Sequence, residues 1–319
     1  MPDFLQYDFM VRALIGSVLV GALAPTFGVF MVLRRLSLIA DTLSHVALTG
    51  VAVGVLTGAY PPIVAVGATS AAAASIEELR ARRIMPGDAA LAVFLYGALA
   101  SAVIIFSIAG GFNSSLFGYL FGSVLTVSTA DLWLIGGLAV IAGAFSLFFY
   151  FDLAQTTFDT DLARTNGVRV HAVNISLAVL TGATVTVSMR VVGVLLVGAL
   201  IVVPALIALR ISRGLSNTIV IAIGIGVAVS IAGTIIAYYA DIAPGGTVVL
   251  TAVAVLAVVE AFHFAFLRRQ TRPTSPHAHR PRSPTAAASA QLPLPISGMS
   301  TEASGPTAHV PARTNTPAP

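Results

Sequence analysis

The chain is built from long apolar runs of about 18 to 24 residues with short polar connections between them. Folded as a helix, such a run crosses about 30 Å of hydrocarbon, whereas a membrane β-barrel needs shorter, alternating strands. Nine runs qualify, at residues 9–33, 38–58, 60–76, 89–109, 131–151, 172–189, 191–209, 217–239 and 247–267. Only 9% of the residues are charged, far below the roughly 25% of a soluble domain. The sequence predicts an all-α integral membrane protein, a bundle of eight to nine transmembrane helices.

The number of spans is open because two candidate runs are not clearly separated. Residues 172–189 and 191–209 have only Arg190 between them, so one of the two runs is a candidate for a re-entrant or broken helix. Residues 112–127 are also apolar but too short to cross a bilayer. We expect them to form an interfacial or re-entrant element.

Arginine alone supplies the seventeen basic side chains, and their positions predict the topology. Fifteen of them fall in every second connection or in the carboxyl-terminal region, namely Arg34, Arg35, Arg80, Arg82, Arg83, Arg164, Arg169, Arg210, Arg213, Arg268, Arg269, Arg272, Arg280, Arg282 and Arg313. Basic residues accumulate on the cytoplasmic side of membrane proteins. We therefore expect the amino terminus outside and the carboxyl terminus inside, in a multi-pass protein of the cell (plasma) membrane.

The composition divides the chain into two parts and excludes several functions. Residues 1–269 form the predicted transmembrane domain, whereas 270–319 are rich in Pro, Ala, Ser and Thr and predict a disordered cytoplasmic tail. The sequence has no cysteine and no lysine. Thiolate catalysis and the Gly-x-x-x-x-Gly-Lys phosphate loop are therefore excluded. If ATP drives this protein, another chain hydrolyses it.

An aspartate and a histidine stand in the second apolar run, in "LSLIADTLSHVALTGVAVGVL". On a helix, Asp41 and His45 lie one turn apart, on the same face. Ionisable residues inside a membrane are costly and mark functional paths. One interpretation is a divalent-metal site, since a carboxylate and an imidazole suit zinc, manganese or ferrous iron. The alternative is that the two side chains satisfy each other near the end of the helix.

The same helix carries a second, separate face of small residues. Gly50, Gly54 and Gly58 form two overlapping Gly-x-x-x-Gly patterns, which allow close helix packing in membranes. Helical periodicity places Gly50 about 180° from Asp41. We expect the glycine face to pack on a neighbouring helix and the opposite face to line something polar.

Two ligands are too few for a bound zinc ion, which usually has four. A two-fold dimer that joined two such pairs would supply two carboxylates and two imidazoles. The ligand count therefore motivates a homodimer hypothesis.

The stretch "LRRLSLIADTLSHVALTGVAVG" resembles the second-helix motif of the metal-ion permease family of ABC transporters, which import zinc, manganese or iron. Three further stretches match the family in the right order: "SSLFGYLFGSVLTVSTADL" (114–132), "VVGVLLVGALIVVPALIAL" (191–209) and "YYADIAPGGTVVL" (238–250). The resemblance covers roughly residues 8–267. It implies a homodimeric permease, served by cytoplasmic ATP-binding subunits and an extracytoplasmic metal-binding protein.

The resemblance also implies that Asp41 and His45 are metal-coordinating or gating residues of the translocation path. Two positions depart from the family pattern. Ala40 replaces the usual glycine before the aspartate, and Thr49 replaces the proline after the histidine. Losing proline restores a backbone donor and straightens a helix, so the depth of the site in the membrane becomes a question for the structure.

The cytoplasmic connection 152–171, "DLAQTTFDTDLARTNGVRVH", is long for a helix hairpin. Asp159 or Asp161 can cap a short helix there, and Gly167 follows where that helix would stop. Similarity to the family's coupling helix implies that this segment docks the ATPase, with Ala163 and Gly167 at the matching positions. A solvated loop is the alternative.

The remaining polar side chains leave several interpretations open. Glu260 and His263 lie one turn apart in the last run, and the two interpretations are an ion pair or a metal site. Arg190 is expected at the outer boundary of the membrane. Trp133 and Tyr119 fit an interfacial aromatic belt. We expect a transport permease and not an enzyme, with a transported metal ion, no permanent cofactor, surrounding membrane lipid and no nucleic acid.

The main rival is an ion-coupled secondary metal transporter, in which Asp41 and Glu260 would relay protons. An intramembrane hydrolase is a third hypothesis, but the chain has no His-Glu-x-x-His motif or Gly-x-Ser-x-Gly elbow to support it.

Overall fold

The computed structural model describes residues 7–109, 114–122 and 128–270, so the predicted tail after Gln270 lies outside the described residues. Within these ranges the fold consists of helices without strands. In chain order they are α1 (Asp8–Leu33), α2 (Ile39–Thr57), α3 (Pro61–Ala81), α4 (Gly87–Ile108), α5 (Ser114–Phe121), α6 (Thr129–Phe148), α7 (Tyr150–Phe158), α8 (Thr160–Thr165), α9 (Val170–Val192), α10 (Val194–Ile211), α11 (Leu215–Ala240) and α12 (Pro244–Gln270).

Eight of the described helices are long and apolar enough to cross a membrane, which confirms the predicted helical membrane bundle. The exception among the long helices is α3, which has 21 residues. It is rich in alanine and carries Glu77 and Glu78 in its last turns, so its hydropathy is lower. Because α3 packs against both α2 and α9, it belongs to the same bundle.

The structure resolves the two regions that left the number of spans open, residues 172–209 and the short apolar region around α5. Residues 170–211 form two separate helices, because Gly193 adopts φ 96° and ends α9 before α10 begins. The short helix α5 has 8 residues and extends about 12 Å. It is too short to span a membrane, as the sequence predicted for this region.

The helices differ strongly in how much of their surface the chain itself covers. In the most apolar window of α1 and of α9, 72% of the residues are buried, against 17% in α4, α6 and α12. Large apolar side chains on α6 are exposed, including Trp133, Leu147 and Phe148. In a membrane protein such side chains contact lipid, and the position of Trp133 near the start of α6 fits the predicted aromatic belt.

Small residues and hydroxyl pairs hold the central helices together. The backbones of α1 and α11 approach at Gly21 and Gly226. Ser17 and Thr234 share a hydrogen bond of 2.8 Å in the same interface. Close backbone approach and interhelical hydroxyl bonds are typical of packing in membranes, where apolar burial between helices gives little driving force.

Polar contacts gather at the two ends of the bundle and agree with the predicted topology. At one end, Arg34 bonds to Thr157, and His171 lies 3.1 Å from Glu78, which joins three of the arginine-rich connections. At the other end, Arg190 pairs with Asp131. The predicted cytoplasmic connections thus cluster together, away from the predicted outer ones.

Candidate functional site

Asp41 and His45 lie one turn apart on α2, and both are partly buried. Neither side chain forms a hydrogen bond or ion pair with the other, or with any other residue in the described ranges. His45 Nδ1 is nevertheless buried without a partner. A buried polar atom that has no hydrogen bond is costly and calls for an explanation such as an ion. The structure therefore does not show the mutual Asp–His pairing that was the alternative to a metal site.

The pair lies close to the start of its helix. Asp41 is in the first turn of α2, which begins at Ile39. At 1.5 Å per residue, Asp41 is about 3 Å and His45 about 9 Å along the axis from Ile39. Beside them, Thr42 Oγ1 donates to the carbonyl oxygen of Leu91, in the second turn of α4. The site thus lies nearer to the predicted cytoplasmic end of the bundle than to its outer end.

The two departures from the family pattern fit into this structure without disturbing the helix. Ala40 is buried, with 1% of its surface exposed. At position 49 the helix continues unbroken. Thr49 Oγ1 donates to the carbonyl oxygen of His45 at 3.1 Å and to that of Ala98 in α4 at 2.7 Å. Threonine in place of proline therefore ties α2 to α4 beside the histidine.

Two of the three predicted packing glycines lie against α3. A Cβ atom at Gly50 would come 2.5 Å from the Cα of Ala65, and one at Gly54 would come 2.7 Å from the Cα of Pro61. Gly58 differs, because it ends α2 in the left-handed conformation with φ 70°, and a Cβ atom there would contact nothing. Its role is to stop the helix, since only glycine adopts this conformation without strain.

Helix α10 forms a second wall beside the pair. A Cβ atom at Gly198 would lie 3.6 Å from the backbone nitrogen of Asp41. A longer side chain at this position would fill the space next to the carboxylate. In the described part of the chain, no third His, Cys, Asp or Glu joins Asp41 and His45 in a metal-binding group. Asp41 and His45 of one copy would therefore amount to at most half of a tetrahedral metal site.

The predicted docking segment forms a short, well-capped helix. Asp159 Oδ1 accepts hydrogen bonds from the backbone amides of Asp161 and Leu162, each at 3.0 Å, so Asp159 is the amino-terminal cap of α8. Gly167 adopts φ 82° just beyond the other end. This left-handed glycine closes the helix as the sequence indicated.

The side chains of α8 point in two directions. Ala163 is fully buried, so it packs the segment on the bundle and cannot itself touch a partner. Leu162 of α8 and Phe158, the last residue of α7, are 54% and 68% exposed. The exposed residues, and not Ala163, are therefore available for docking.

Arg34 attaches the segment that precedes α8 to the bundle. Its guanidinium donates to Thr157 Oγ1 at 3.1 Å, to Thr156 Oγ1 at 2.7 Å and to Asn174 Oδ1 at 2.6 Å. Burial lowers the pKa of Arg34 to about 10, and the nearby carboxylate of Glu77 partly offsets this. Arg34 thus remains charged at neutral pH and links the α1–α2 connection to α7 and α9. The sequence showed Arg34 only as a topology signal.

The outer end holds a polar cluster that the sequence did not reveal. Arg190 Nη2 lies 3.3 Å from Asp131 Oδ2, and Asp131 is only 4% exposed. Asp131 also accepts hydrogen bonds from the backbone and hydroxyl of Ser128, at 2.9 and 2.7 Å, in a capping box at the start of α6. The Tyr60 and Tyr119 hydroxyls lie 3.5 Å from Asp131 and Arg190 respectively. Tyr119 therefore belongs to this cluster as well as to the predicted aromatic belt.

Removing the ion pair at the outer end should destabilise the protein. Arg190→Met leaves Asp131 charged and buried, which costs about 3 kcal/mol and lowers the melting temperature by roughly 10 °C. Melting of the purified protein in detergent, followed by size-exclusion chromatography, measures the change.

Two variants separate the ion pair from the helix cap. Asp131→Asn keeps an acceptor for Ser128 but loses the charge, so its melting temperature should fall clearly. Ser128→Ala keeps the charge and should cost only about 1 kcal/mol. Equal melting temperatures for Arg190→Met and the wild type would show that the pair contributes nothing to stability.

Three glycines from separate family-like stretches meet near this cluster. A Cβ atom at Gly193 would come 2.5 Å from the backbone carbon of Phe121, and one at Gly122 would come 2.6 Å from the carbonyl oxygen of Val191. At Gly245, a Cβ atom would collide with the carbonyl oxygen of the last residue of α9. In this chain the three backbones pass one another so closely that a side chain at any of these positions would collide.

Glu260 in the last helix forms an ion pair with an arginine of α10. Arg210 Nε lies 2.7 Å from Glu260 Oε1, which fixes the last helix to the end of α10. Glu260 therefore forms an ion pair, but its partner is Arg210 and not His263.

Comparison with known proteins places this fold in a family. The family model for the ABC 3 transport family matches residues 6–263. A probable metal transport system membrane protein of Treponema pallidum is 35% identical over 257 residues, which are 81% of this chain and 96% of the relative. The manganese import system permease protein ScaB of Streptococcus gordonii is 29% identical over 262 residues, 81% of this chain and 94% of the relative.

A solved structure supports the same assignment. PsaBC from Streptococcus pneumoniae, determined in complex with a Fab, aligns with a TM-score of 0.73 at 30% sequence identity and covers 80% of this chain and 92% of that one. The family match over residues 6–263 contains the described bundle except its last residues. The chain is therefore a multi-pass membrane permease that belongs to the ABC 3 transport family.

Proposed function

We propose that this permease carries a divalent metal ion, zinc, manganese or ferrous iron, into the cell as part of an ATP-driven importer. The observation that supports this most directly is the Asp41 and His45 pair, whose polar atoms have no partner among the described residues. A carboxylate oxygen and an imidazole nitrogen suit all three metals, and without sulfur they do not discriminate between them. The names of the relatives, a metal transport protein and a manganese import permease, support the same class of cargo.

A second copy of the chain would complete the site. Two pairs related by a two-fold axis supply two carboxylates and two imidazoles, enough for a tetrahedral or larger coordination sphere. The lack of a third ligand in the described part of one copy supports this homodimer. The metal would then bind between the two α2 helices, as a cargo in transit and not as a resident cofactor.

The other partners follow from the two ends of the bundle. The chain itself has no lysine for a phosphate loop, so ATP would be hydrolysed by separate cytoplasmic subunits. These subunits would dock on the exposed residues of the 158–167 segment. An extracytoplasmic metal-binding protein would deliver the ion at the outer end, near the Asp131 and Arg190 cluster. Arg34 supports this arrangement because it joins the connection before the metal-bearing helix to α7, which directly precedes the docking segment.

Transport in proteoliposomes distinguishes ATP-driven import from the ion-coupled rival. The permease with its ATPase subunits and its binding protein should take up radiolabelled manganese or zinc when ATP is supplied to the cytoplasmic face. Collapse of the proton gradient with an ionophore should leave uptake unchanged. Vesicles that contain the permease alone should be inactive.

Uptake by the permease alone, driven by a proton gradient, would contradict the proposal. The pairing of Glu260 with Arg210 argues against that outcome, because one of the two proposed proton carriers is held in an ion pair.

A further inference from the structure

A cavity lies at the predicted cytoplasmic end, apart from the metal site. Its volume is about 700 Å³, and it lies between the end of α6 with α7 on one side and the start of α9 on the other. Volumes of this size hold ligands with tens of atoms. None of the functions described above uses this cavity.

The lining of the cavity divides into a polar and an apolar zone. Asp152 lies in the first turn of α7, and Arg169 is the residue just before α9, at the predicted cytoplasmic end of the bundle. Phe145, Val179 and Leu180 lie deeper, because Leu180 is ten residues into α9, about 15 Å along its axis from Val170. A charged mouth above an apolar wall matches the distribution of polarity in a phospholipid at the membrane interface.

The two charged side chains at the mouth are of opposite sign but are not joined. Neither Asp152 nor Arg169 forms an ion pair or a side-chain hydrogen bond with any residue in the described ranges. Arginine binds phosphate oxygens through several N–H groups. A carboxylate attracts a cation that has N–H donors, such as a primary ammonium group.

We infer that this cavity binds a phosphatidylethanolamine molecule from the inner leaflet. Its phosphate lies against Arg169, its ammonium group against Asp152, and an acyl chain runs along Phe145 and Leu180. The charges favour this lipid over two others. Phosphatidylglycerol has no cation for Asp152, and the quaternary amine of phosphatidylcholine has no N–H to donate.

The position of the cavity gives the lipid a consequence for transport. Its mouth includes Asn166 and Gly167, the residues that end α8. Asn166 also donates from Nδ2 to Gln155 Oε1 of α7 at 2.9 Å. A bound lipid would therefore brace the predicted docking segment from the membrane side, although the binding itself does not depend on the cargo or on the ATPase.

The test measures lipid that stays bound to the full-length permease purified with its ATPase subunits in a mild detergent. Extracted lipids are quantified by mass spectrometry for the wild type, Arg169→Ala and Asp152→Asn. Arg213→Ala is the matched control, because Arg213 is an exposed cytoplasmic arginine outside the cavity. Retained phosphatidylethanolamine should fall about tenfold in Arg169→Ala, as expected for loss of one charged contact, and stay at the wild-type level in the control.

Asp152→Asn provides a second readout that a folding defect would not imitate. It should lower phosphatidylethanolamine while raising phosphatidylglycerol, since the carboxylate no longer repels the anionic lipid. A photo-reactive residue at Val179 identifies the occupant in whole membranes and should capture a phospholipid. Capture of the ATPase or of a second permease, or equal lipid in Arg169→Ala and Arg213→Ala, would overturn the inference.

Discussion

Uptake of the metal should fall about a hundredfold or more when Asp41 or His45 is replaced by alanine. Changes to residues that merely support a metal ligand already cost 10- to 100-fold in affinity or activity, so loss of a ligand should cost at least as much. In a two-fold dimer each substitution removes two ligands at once. The double variant should be no worse than either single one, because the path is already closed to the ion. Initial rates of radiolabelled manganese and zinc uptake, at matched membrane levels, measure the effect.

Ser44→Ala is the matched control for these variants. Ser44 is buried on the same turn of α2, and its hydroxyl donates to the backbone carbonyl oxygen of Asp41 at 2.7 Å. Its loss should leave most of the uptake intact, since it contributes no ligand. Normal uptake by both Asp41→Ala and His45→Ala would show that the pair is structural and that the ion crosses elsewhere.

The second large effect is expected at the docking segment. Replacement of residues 158–167 by a flexible Gly-Ser loop should abolish ATP-driven uptake, while the permease still inserts and elutes normally. The caps of α8 show that the segment has a fixed shape to lose. Co-purification of the ATPase subunits with the permease gives an independent measure and should be lost together with transport.

A single substitution refines this prediction. Leu162→Asp changes an exposed side chain and should weaken ATPase binding without harming the bundle, whereas Phe151→Ser changes an exposed residue of α7 outside the segment and should have little effect. ATP-driven uptake that survives the Gly-Ser replacement would mean that the ATPase docks on a different cytoplasmic surface.

The long helices could be predicted from the sequence because the length and hydropathy of an apolar run can be read from consecutive residues. The topology could be predicted in the same way, because the arginines can be assigned to individual connections along the chain. Among the long helices, α3 is the least apolar, and the predicted run 60–76 ended before its last residue, Ala81. It carries Glu77 and Glu78, and Arg80 of the same helix donates to Glu77 at 2.6 Å, so a local pair balances part of this charge.

The site could be predicted only in part, since spacing shows which residues share a face but not what they touch. The one-turn spacing of Asp41 and His45 placed them together, yet only the structure shows that they do not pair. Gly58 fitted the packing pattern of Gly50 and Gly54, although the prolines at 61 and 62 already indicated that a helix ends there.

Contacts between distant parts of the chain left no signal at all. Asp131 and Arg190 are 59 positions apart and Arg34 is 123 positions from Thr157, so neither contact has a local pattern. The same holds for the approach of Gly122, Gly193 and Gly245. The family resemblance marked these stretches, and the structure gives the steric reason for their glycines.

In the proposed dimer, two copies of Asp41 and His45 together hold one metal ion. Native mass spectrometry of the purified transporter, titrated with manganese or zinc, tests it most directly. We expect one bound metal ion for every two permease chains in the wild type and in Ser44→Ala, and none at the same concentration in His45→Ala. One ion on each single chain, or an unchanged number of ions in His45→Ala, would contradict it.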